Sequence, residues 1–576
     1  MSAGDLRLLE YLDGALMQIS NVRVSDLGER RPGVVYQVYP RSFKDTTGNG
    51  IGDIPGIVVK LDYLKELGVD TIWFSPFFRS PQIDQGYDIS DFCNIAPEHG
   101  KMADFDLLLN EMHARNMKMI LDFVLSHTSI EHPWFLESAS SKDNPKRNWY
   151  IWRNGKKPDG RKPPNNWRAM TGGPAWQYFR NTDQWAYFHF LPCEVDLNYR
   201  EPEVKKTMMG IMRFWLDKGV DGFRLDLLHA IYEDERLRDN PLSWRLLPSD
   251  KSTSLLFRSH KYDLNLPETY SFAVELRKIV DEYEPKRFLI GEVFGTMEEL
   301  RHYYGPHSTG LHMIFLFEFT STAFRPHRYT KLIRRIEEVL PEPHTPTYVF
   351  GNHDRMRFIT RLGNDTRKAK IAATMQFTLR GIPFIYYGEE IGMPNSKINL
   401  KTSKDPIGRK YAWLPFSQIK GLGFSISRDG CRTPMQWDDG PNASFSFNPS
   451  TQPWLDISPS YWNLNVKNEK ADPNSLWNCY RRLIHLRREN SALQRGAFKF
   501  ISVGKLGKKC LAYRRIYQNQ EIFVYLNFSK KSLRLSCPVG ETDVLFSTRP
   551  TRKDIPVEAD GSMTLAPLEG IIFRHS

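Results

Sequence analysis

The sequence predicts an α/β protein: a (β/α)8 barrel of the TIM type, with a domain inserted after the third strand and an antiparallel β-domain at the C-terminus. Three observations predict it. Eight short apolar runs of β character recur with helical stretches between them; the most conspicuous polar residues stand at the C-terminal ends of those runs; and from about Gly496 the pattern turns to short alternating strands. Strand alternating with helix implies a parallel sheet, and eight such units suggest closure into a barrel whose active site lies on the loops after the strands.

The eight runs are 34–39, 71–75, 119–124, 222–226, 288–293, 312–319, 347–351 and 383–387. Amphipathic stretches such as 104–116, 203–218 and 272–283 separate them. Two connections are too long for a loop and one helix. Residues 128–199, rich in Trp, Asn, Pro and Gly, read as an inserted, substrate-facing domain; about 388–465 is a second excursion, after the eighth strand. The expected division is therefore an N-terminal extension (1–33), a barrel (34–127 and 200–495), the insertion (128–199) and a β-domain (496–576). Strands at 510–516 and 521–528 belong to the last. There is no internal repeat and no low-complexity tract.

Composition narrows the function class. The chain has 576 residues, 40% hydrophobic and 25% charged, which is globular rather than disordered. No run approaches the roughly 18 apolar residues of a membrane helix. Arg7, Glu10 and Asp13 interrupt the apolar segment 6–19, which therefore reads as an amphipathic capping helix rather than a secretory core. The expected location is the cytoplasm. Lys and Arg exceed Asp and Glu by 79 − 67 = 12. These cations are scattered, and a nucleic-acid footprint needs them clustered on one face; neither nucleic acid nor membrane is an expected partner. The six cysteines show no metal-ligand spacing and read as reduced thiols.

Three acids end strand-like runs: Asp226 in GFRLD, Glu292 in LIGE and Asp354 in FGNHD. Only a fold that gathers strand ends at one rim would bring together residues so far apart in the chain. Retaining cleavage of a glycosidic bond needs a carboxylate nucleophile and a carboxylic acid about 5 to 5.5 Å apart. A third acid can bind sugar hydroxyls and hold the acid's pKa up by like-charge repulsion. Arg224 stands two residues before Asp226, on the same side of a strand, where it would favour the ionised nucleophile. His127 and His353 can donate to sugar hydroxyls, and Asp122 can pair with a cation near the rim.

The segments DFVLSH (122–127), GFRLD (222–226), GEVF (291–294) and GNHD (351–354) resemble, in order and placement, the four signature regions of the α-amylase superfamily, glycoside hydrolase family 13. VVYQVYPRSF (34–43), GYDISDF (86–92), YYGEEIGM (386–393) and SRDGCRTPMQW (427–437) resemble its α-glucosidase and oligo-1,6-glucosidase branch. The resemblance implies that Asp226 is the nucleophile, Glu292 the acid/base and Asp354 the transition-state stabiliser. It implies that Asp88, His127, Arg224, His353 and Arg428 hold the nonreducing-end glucose, with Tyr87 and Phe190 as aromatic platforms. Core packing is the competing reading for those two rings.

The glycine-rich segment 45–53 alternates oxygen donors, which suits a hard cation such as Ca²⁺. It resembles the family's metal loop, with Asp45, Thr47, Asn49, the Ile51 carbonyl and Asp53 at the ligand positions. Thr47 and Asn49 stand where many relatives carry acids, so a metal-free, hydrogen-bonded turn is the alternative. Two further departures bear on specificity. Family members often carry QPDLN where this chain has EVDLN (194–198), and Leu227, after the expected nucleophile, matches neither common choice at the position that tracks linkage preference.

The expected function is thus exo-acting hydrolysis of short α-linked glucosides through a β-glucosyl-enzyme. A transglucosidase or isomerase acting on sucrose, maltose or trehalose would use the same residues, although 355–365 lacks a charged isomerase-type loop. A non-catalytic partner of a membrane transporter is disfavoured by the intact acidic set.

Overall fold

The computed structural model describes residues 32–156, 160–245, 257–414, 418–419, 424–537, 542–552, 554, 558 and 561–575. The segment expected to form a capping helix, 6–19, lies outside the described residues.

Eight strands form a closed, all-parallel barrel: β1 Val35–Val38, β2 Thr71–Phe74, β3 Lys118–Val124, β4 Gly222–Asp226, β5 Phe288–Gly291, β6 Met313–Ile314, β7 Thr345–Val349 and β8 Ile382–Tyr386, with β8 pairing back onto β1. Each falls within or beside one of the eight runs read from the sequence. The largest departure is the sixth. The run at 312–319 gives only two strand residues before the chain turns into the helix Glu318–Ser321. Its aromatic residues Phe315 and Phe317 are buried in the barrel interior with Trp73, Phe288 and Phe384, so their apolarity reports core filling rather than strand length. Gly222 opens β4 because of a close approach to β5: a Cβ there would lie 2.4 Å from the Phe288 carbonyl oxygen.

Helices Met102–Ala114, Pro202–Asp217 and Pro267–Asp281 cover the outside of the barrel, each burying one apolar stripe. Between β3 and β4 the chain leaves the barrel to build a three-stranded antiparallel sheet from Trp152–Arg153, Trp176–Phe179 and Gln184–Tyr187. Ile151, Trp167, Ala175, Trp176 and Tyr187 form its own small core. The way out and the way back are clipped together where His127–Ser129 pairs antiparallel with Glu194–Asp196. At the C-terminus a five-stranded antiparallel sheet runs Ala497–Phe500, Cys510–Tyr517, Gln520–Asn527, Gly570–His575, Thr542–Ser547, with Leu533–Ser536 and Ser562–Leu565 as a separate pair. All six cysteines are free. Among the described residues no helix is long and apolar enough to cross a membrane.

Candidate active site

The barrel register places the central cation. Arg224 and Asp122 are paired residues on β4 and β3, and Asp226 lies two residues further on the same face of β4. The buried Arg224 guanidinium donates to Asp122 Oδ1 at 2.6 Å and to Asp226 Oδ1 at 2.5 Å, and its other terminal nitrogen lies 2.5 Å from Glu292 Oε2. One guanidinium thus holds three carboxyls from three strands.

Burial dominates the electrostatics. Desolvation pushes Glu292 up to about 8 against the pull of Arg224, with the charges of Asp226 and Asp354 adding to the rise. Asp226 is pushed up to about 6, again by desolvation first, with Arg224 opposing. Arg224 therefore limits the rise of the Asp226 pKa rather than reversing it. The order that results leaves Glu292 protonated and Asp226 largely ionised near neutrality. Asp354 has the most open side chain of the three, 29% exposed. It is held well below the usual carboxylate range, because the guanidiniums of Arg432, Arg428 and Arg224 outweigh its desolvation.

Leu227, which follows Asp226, adopts a left-handed backbone (φ 41°, ψ 36°) that a Leu occupies only under strain. The kink turns its amide toward Glu292 Oε2, at 3.4 Å.

A relay of hydrogen bonds braces this cluster. Gln37 Nε2 meets His353 Nδ1 at 2.8 Å, His353 Nε2 meets the Tyr87 hydroxyl at 2.7 Å, and that hydroxyl donates to Asp122 Oδ2 at 2.9 Å. Because the Gln37 amide can only donate, the His353 Nδ1 is the acceptor and Nε2 carries the proton. Tyr87 also stacks flat on His353 at 5.2 Å, so its ring is both packed and placed against site residues. His127 is buried and neutral, its pKa lowered to about 4 by desolvation. Its ring nitrogens meet Ser126 Oγ at 2.9 Å and the Tyr87 carbonyl at 3.3 Å. Phe190 is half-buried in the turn before the returning strand, where its carbonyl accepts from Thr171 Oγ1 at 2.5 Å.

A second knot centres on Arg428. It pairs with Asp84 and with Asp405 Oδ1 at 2.8 Å, and it reaches Asp354 Oδ1 at 3.4 Å. Asp88 accepts from Ser80 Oγ and from the amides of Ile83 and Asp84, at 2.9 to 3.0 Å. It shapes the loop that carries Asp84. Both acids belong to DQGYD (84–88); the motif drew attention to the second, while the first makes the ion pair. Arg432 was also missed: it donates to Asp354 Oδ1 at 2.9 Å and to the His353 carbonyl at 2.8 Å. Its signal was a second Arg four residues after Arg428 in one motif. Asp405, in the excursion after β8, had no sequence signal.

The walls around these knots touch. Tyr411, from the excursion after β8, donates to the Thr171 carbonyl of the inserted sheet at 2.8 Å, and Lys410 donates to the Gly172 carbonyl beside it.

The 45–53 loop does not form a cation cage. Asp45 accepts from the Gly48 and Gly50 amides, Thr47 Oγ1 and Ser446 Oγ. Asp53 accepts from the Thr46, Thr47 and Gly56 amides and Thr46 Oγ1, and the Asn49 side chain accepts from the Ile51 amide. A Ca²⁺ ion needs about six to eight oxygens facing inward, and these face the loop's own donors. Among the described residues no group of three or more His, Cys, Asp or Glu is placed to hold a metal. As placed, the Asp45 and Asp53 carboxylates each accept four hydrogen bonds, all from the loop and its neighbours Gly56 and Ser446.

Comparison with known proteins agrees with this geometry. Residues 37–496 match the family model described as the catalytic domain of alpha amylase. The chain is 38% identical to a probable alpha-glucosidase of Rhizobium meliloti, over 89% of this chain and 92% of that protein. It is 38% identical to an oligo-1,6-glucosidase of Parageobacillus thermoglucosidasius, over 87% and 90%. The crystal structure of an alpha-glucosyl transfer enzyme, 34% identical, superposes with a TM-score of 0.84 over 95% of this chain and all of that one. The chain belongs to the alpha-amylase family, to its α-glucosidase and oligo-1,6-glucosidase branch, and is a retaining glycoside hydrolase.

Proposed function

We propose that the protein is an exo-acting α-glucosidase that removes single glucose units from short α-linked gluco-oligosaccharides or disaccharides. Asp226 attacks the anomeric carbon while Glu292, protonated near neutrality, gives its proton to the departing glycosidic oxygen. The resulting β-glucosyl-enzyme is then hydrolysed as Glu292, now a base, takes a proton from water. Asp354 carries a fixed negative charge beside the reacting ring, and the neutral rings of His127 and His353, each hydrogen-bonded to Tyr87, brace the glucose pocket. The observation that carries this reading is the single Arg224 guanidinium bridging Asp226 and Glu292, with the Glu292 pKa the higher of the two.

The exo preference rests on the Arg428–Asp84–Asp405 knot. Standing beside Asp354, it would close the nonreducing end, where an open cleft would need room for further sugars. Activity is expected to be highest on di- and trisaccharides and very low on starch, with glucose appearing first as the α-anomer. A time course on maltose, isomaltose, sucrose, trehalose and starch by NMR and chromatography tests this. Early mid-length oligosaccharides from starch, or initial β-glucose, would overturn it.

A second reading, transfer of the glucosyl group to another sugar, is favoured by one feature. Phe294, two residues after Glu292, stacks on Phe317 at 5.3 Å, and the Arg355 guanidinium lies 6.0 and 5.7 Å from those rings. An aromatic slot beside the acid/base suits the apolar face of an acceptor sugar. Transfer products rising with sugar concentration in the same time course would support it.

A further inference from the structure

The carboxyl that the mechanism above leaves unused is Glu194. It opens the strand that returns from the inserted domain, opposite Ser129 in the pair with His127–Ser129. It is fully buried, and neither of its oxygens has a hydrogen-bond partner. Its nearest basic neighbour is His127 Nε2, at 3.8 Å, a ring kept neutral by burial. The charges that act on it most strongly are those of Asp84, Asp88, Asp226 and Arg428. Glu194 therefore lies beside His127, one of the residues expected to hold the glucose, on the strand paired with it.

Its isolation is peculiar to it. Asp122 and Asp226 are served by Arg224; Asp84 and Asp405 by Arg428; Asp354 by Arg432 and Arg428; and Asp88 by two amides and a hydroxyl. Buried polar atoms are nearly always satisfied, and a carboxylate is best satisfied by a charged donor. The three guanidiniums of the site are each engaged by other acids, so none serves Glu194; burial and the charges of Asp84, Asp88 and Asp226 hold its carboxyl well above the usual carboxylate range, and a cation arriving with the ligand would displace that proton. The residue type adds to this. Where family members often carry Gln, whose amide both donates and accepts, this chain has an acid that, once ionised, can only accept.

Resting on the glucosidase reading above, we propose that Glu194 adapts the pocket to a glucosyl unit in which an ammonium group replaces one hydroxyl, so that α-linked aminodeoxyglucosides are substrates as well as plain glucosides. An ammonium at the right ring position would supply the missing donor and the missing charge together. The neighbouring acids Asp84, Asp88 and Asp226 would add to its attraction, and the uncharged hydroxyl of glucose would gain much less.

The test measures competitive inhibition of aryl α-glucoside hydrolysis by glucose and by its 2-, 3-, 4- and 6-monoamino derivatives, with the full-length enzyme at pH 7. One regioisomer is expected to bind at least about tenfold more tightly than glucose, a factor within reach of one charge-assisted hydrogen bond. In Glu194→Gln, the ratio of that regioisomer's inhibition constant to glucose's should return to within about threefold of one, since the amide keeps the shape and removes the charge. The α-linked aryl glycoside of the same amino sugar should be hydrolysed by the wild type, with a lower KM than the plain glucoside. Four amino sugars that bind no better than glucose to the wild type would overturn the proposal without any variant being needed. A preference that survives Glu194→Gln would overturn it as well. Absence of all glucoside hydrolysis and of glucose inhibition would instead bring down the glucosidase reading, and this proposal with it.

Discussion

Two glutamates at the C-terminal end of the barrel invite comparison. Glu292 follows β5 and Glu389 stands three residues past β8. Both are buried, and desolvation pushes both up to about 8. Their partners separate them. Glu292 shares the Arg224 guanidinium with Asp226. Glu389 accepts from the Tyr480 hydroxyl of an outer helix at 2.9 Å, and its neighbour Glu390 accepts from the hydroxyls of Tyr36 and Tyr63 at 2.8 and 2.6 Å. Phenols satisfy a neutral or shared-proton carboxyl cheaply and bind nothing further. A raised pKa at a strand end therefore marks burial; a second carboxyl on the same cation marks chemistry.

The largest expected effect follows directly. Glu292→Gln should lower kcat on disaccharides by about 10²-fold or more, the range of a lost general acid. An aryl glucoside whose leaving group needs no proton should suffer far less, and azide should yield the α-glucosyl azide. Glu389→Gln, equally buried and close to isosteric, should stay within about threefold of wild type on both substrates, because the amide oxygen accepts from Tyr480 just as a neutral carboxyl does. Parallel kinetics on the two variants decide it; equal losses would erase the distinction.

A smaller effect is expected from pH. Turnover needs Asp226 ionised and Glu292 protonated. Activity should rise as pH climbs through about 6 and fall again through about 8, giving a bell with its top near neutrality. In Glu292→Gln the alkaline limb should vanish for the aryl glucoside. A pH–rate profile that keeps that limb would assign it to another group.

How much of this was legible in the sequence depends on where each residue sits. Strand-end residues were readable, because apolar β runs of fixed length place their last polar residue at the rim: Asp226, Glu292 and the Arg224–Asp226 spacing all follow from period two on β4 and from strand order. The sixth strand was over-read because Phe315 and Phe317 are apolar for the sake of the barrel interior. Loop residues were legible only through motif resemblance, which fixes a segment but not which of its acids turns inward. Asp84 and Asp88 stand four residues apart in one loop, and only its folded shape shows that Asp88 caps backbone amides while Asp84 meets Arg428. Asp405 carries no periodic signal, since it reaches Arg428 from a loop more than twenty residues away. The 45–53 loop shows the same limit: alternating oxygens in sequence do not say whether they face a cation or one another.

That loop gives the smallest expected effect. Since Asp45 and Asp53 are saturated by internal donors, chelation should leave the melting temperature unchanged within error, whereas Asp45→Asn should lower it by withdrawing acceptors from the Gly48 and Gly50 amides. A melting temperature that falls on chelation and recovers with added Ca²⁺ would show that the loop rearranges around an ion.

The central claim is that Asp226, and no other carboxylate on the shared guanidinium, takes the glucosyl group. It is tested most directly by trapping the intermediate. A glucosyl donor with a good leaving group and a ring fluorine slows the second step, so the covalent enzyme accumulates. Intact-mass analysis is expected to show one added fluoroglucosyl unit, and peptide mapping should place it on the segment containing Asp226. In Asp226→Asn the adduct should be absent while the fold, read by circular dichroism, persists. A label on Asp122, Glu292 or Asp354, or an unlabelled enzyme that still turns the substrate over, would contradict the account.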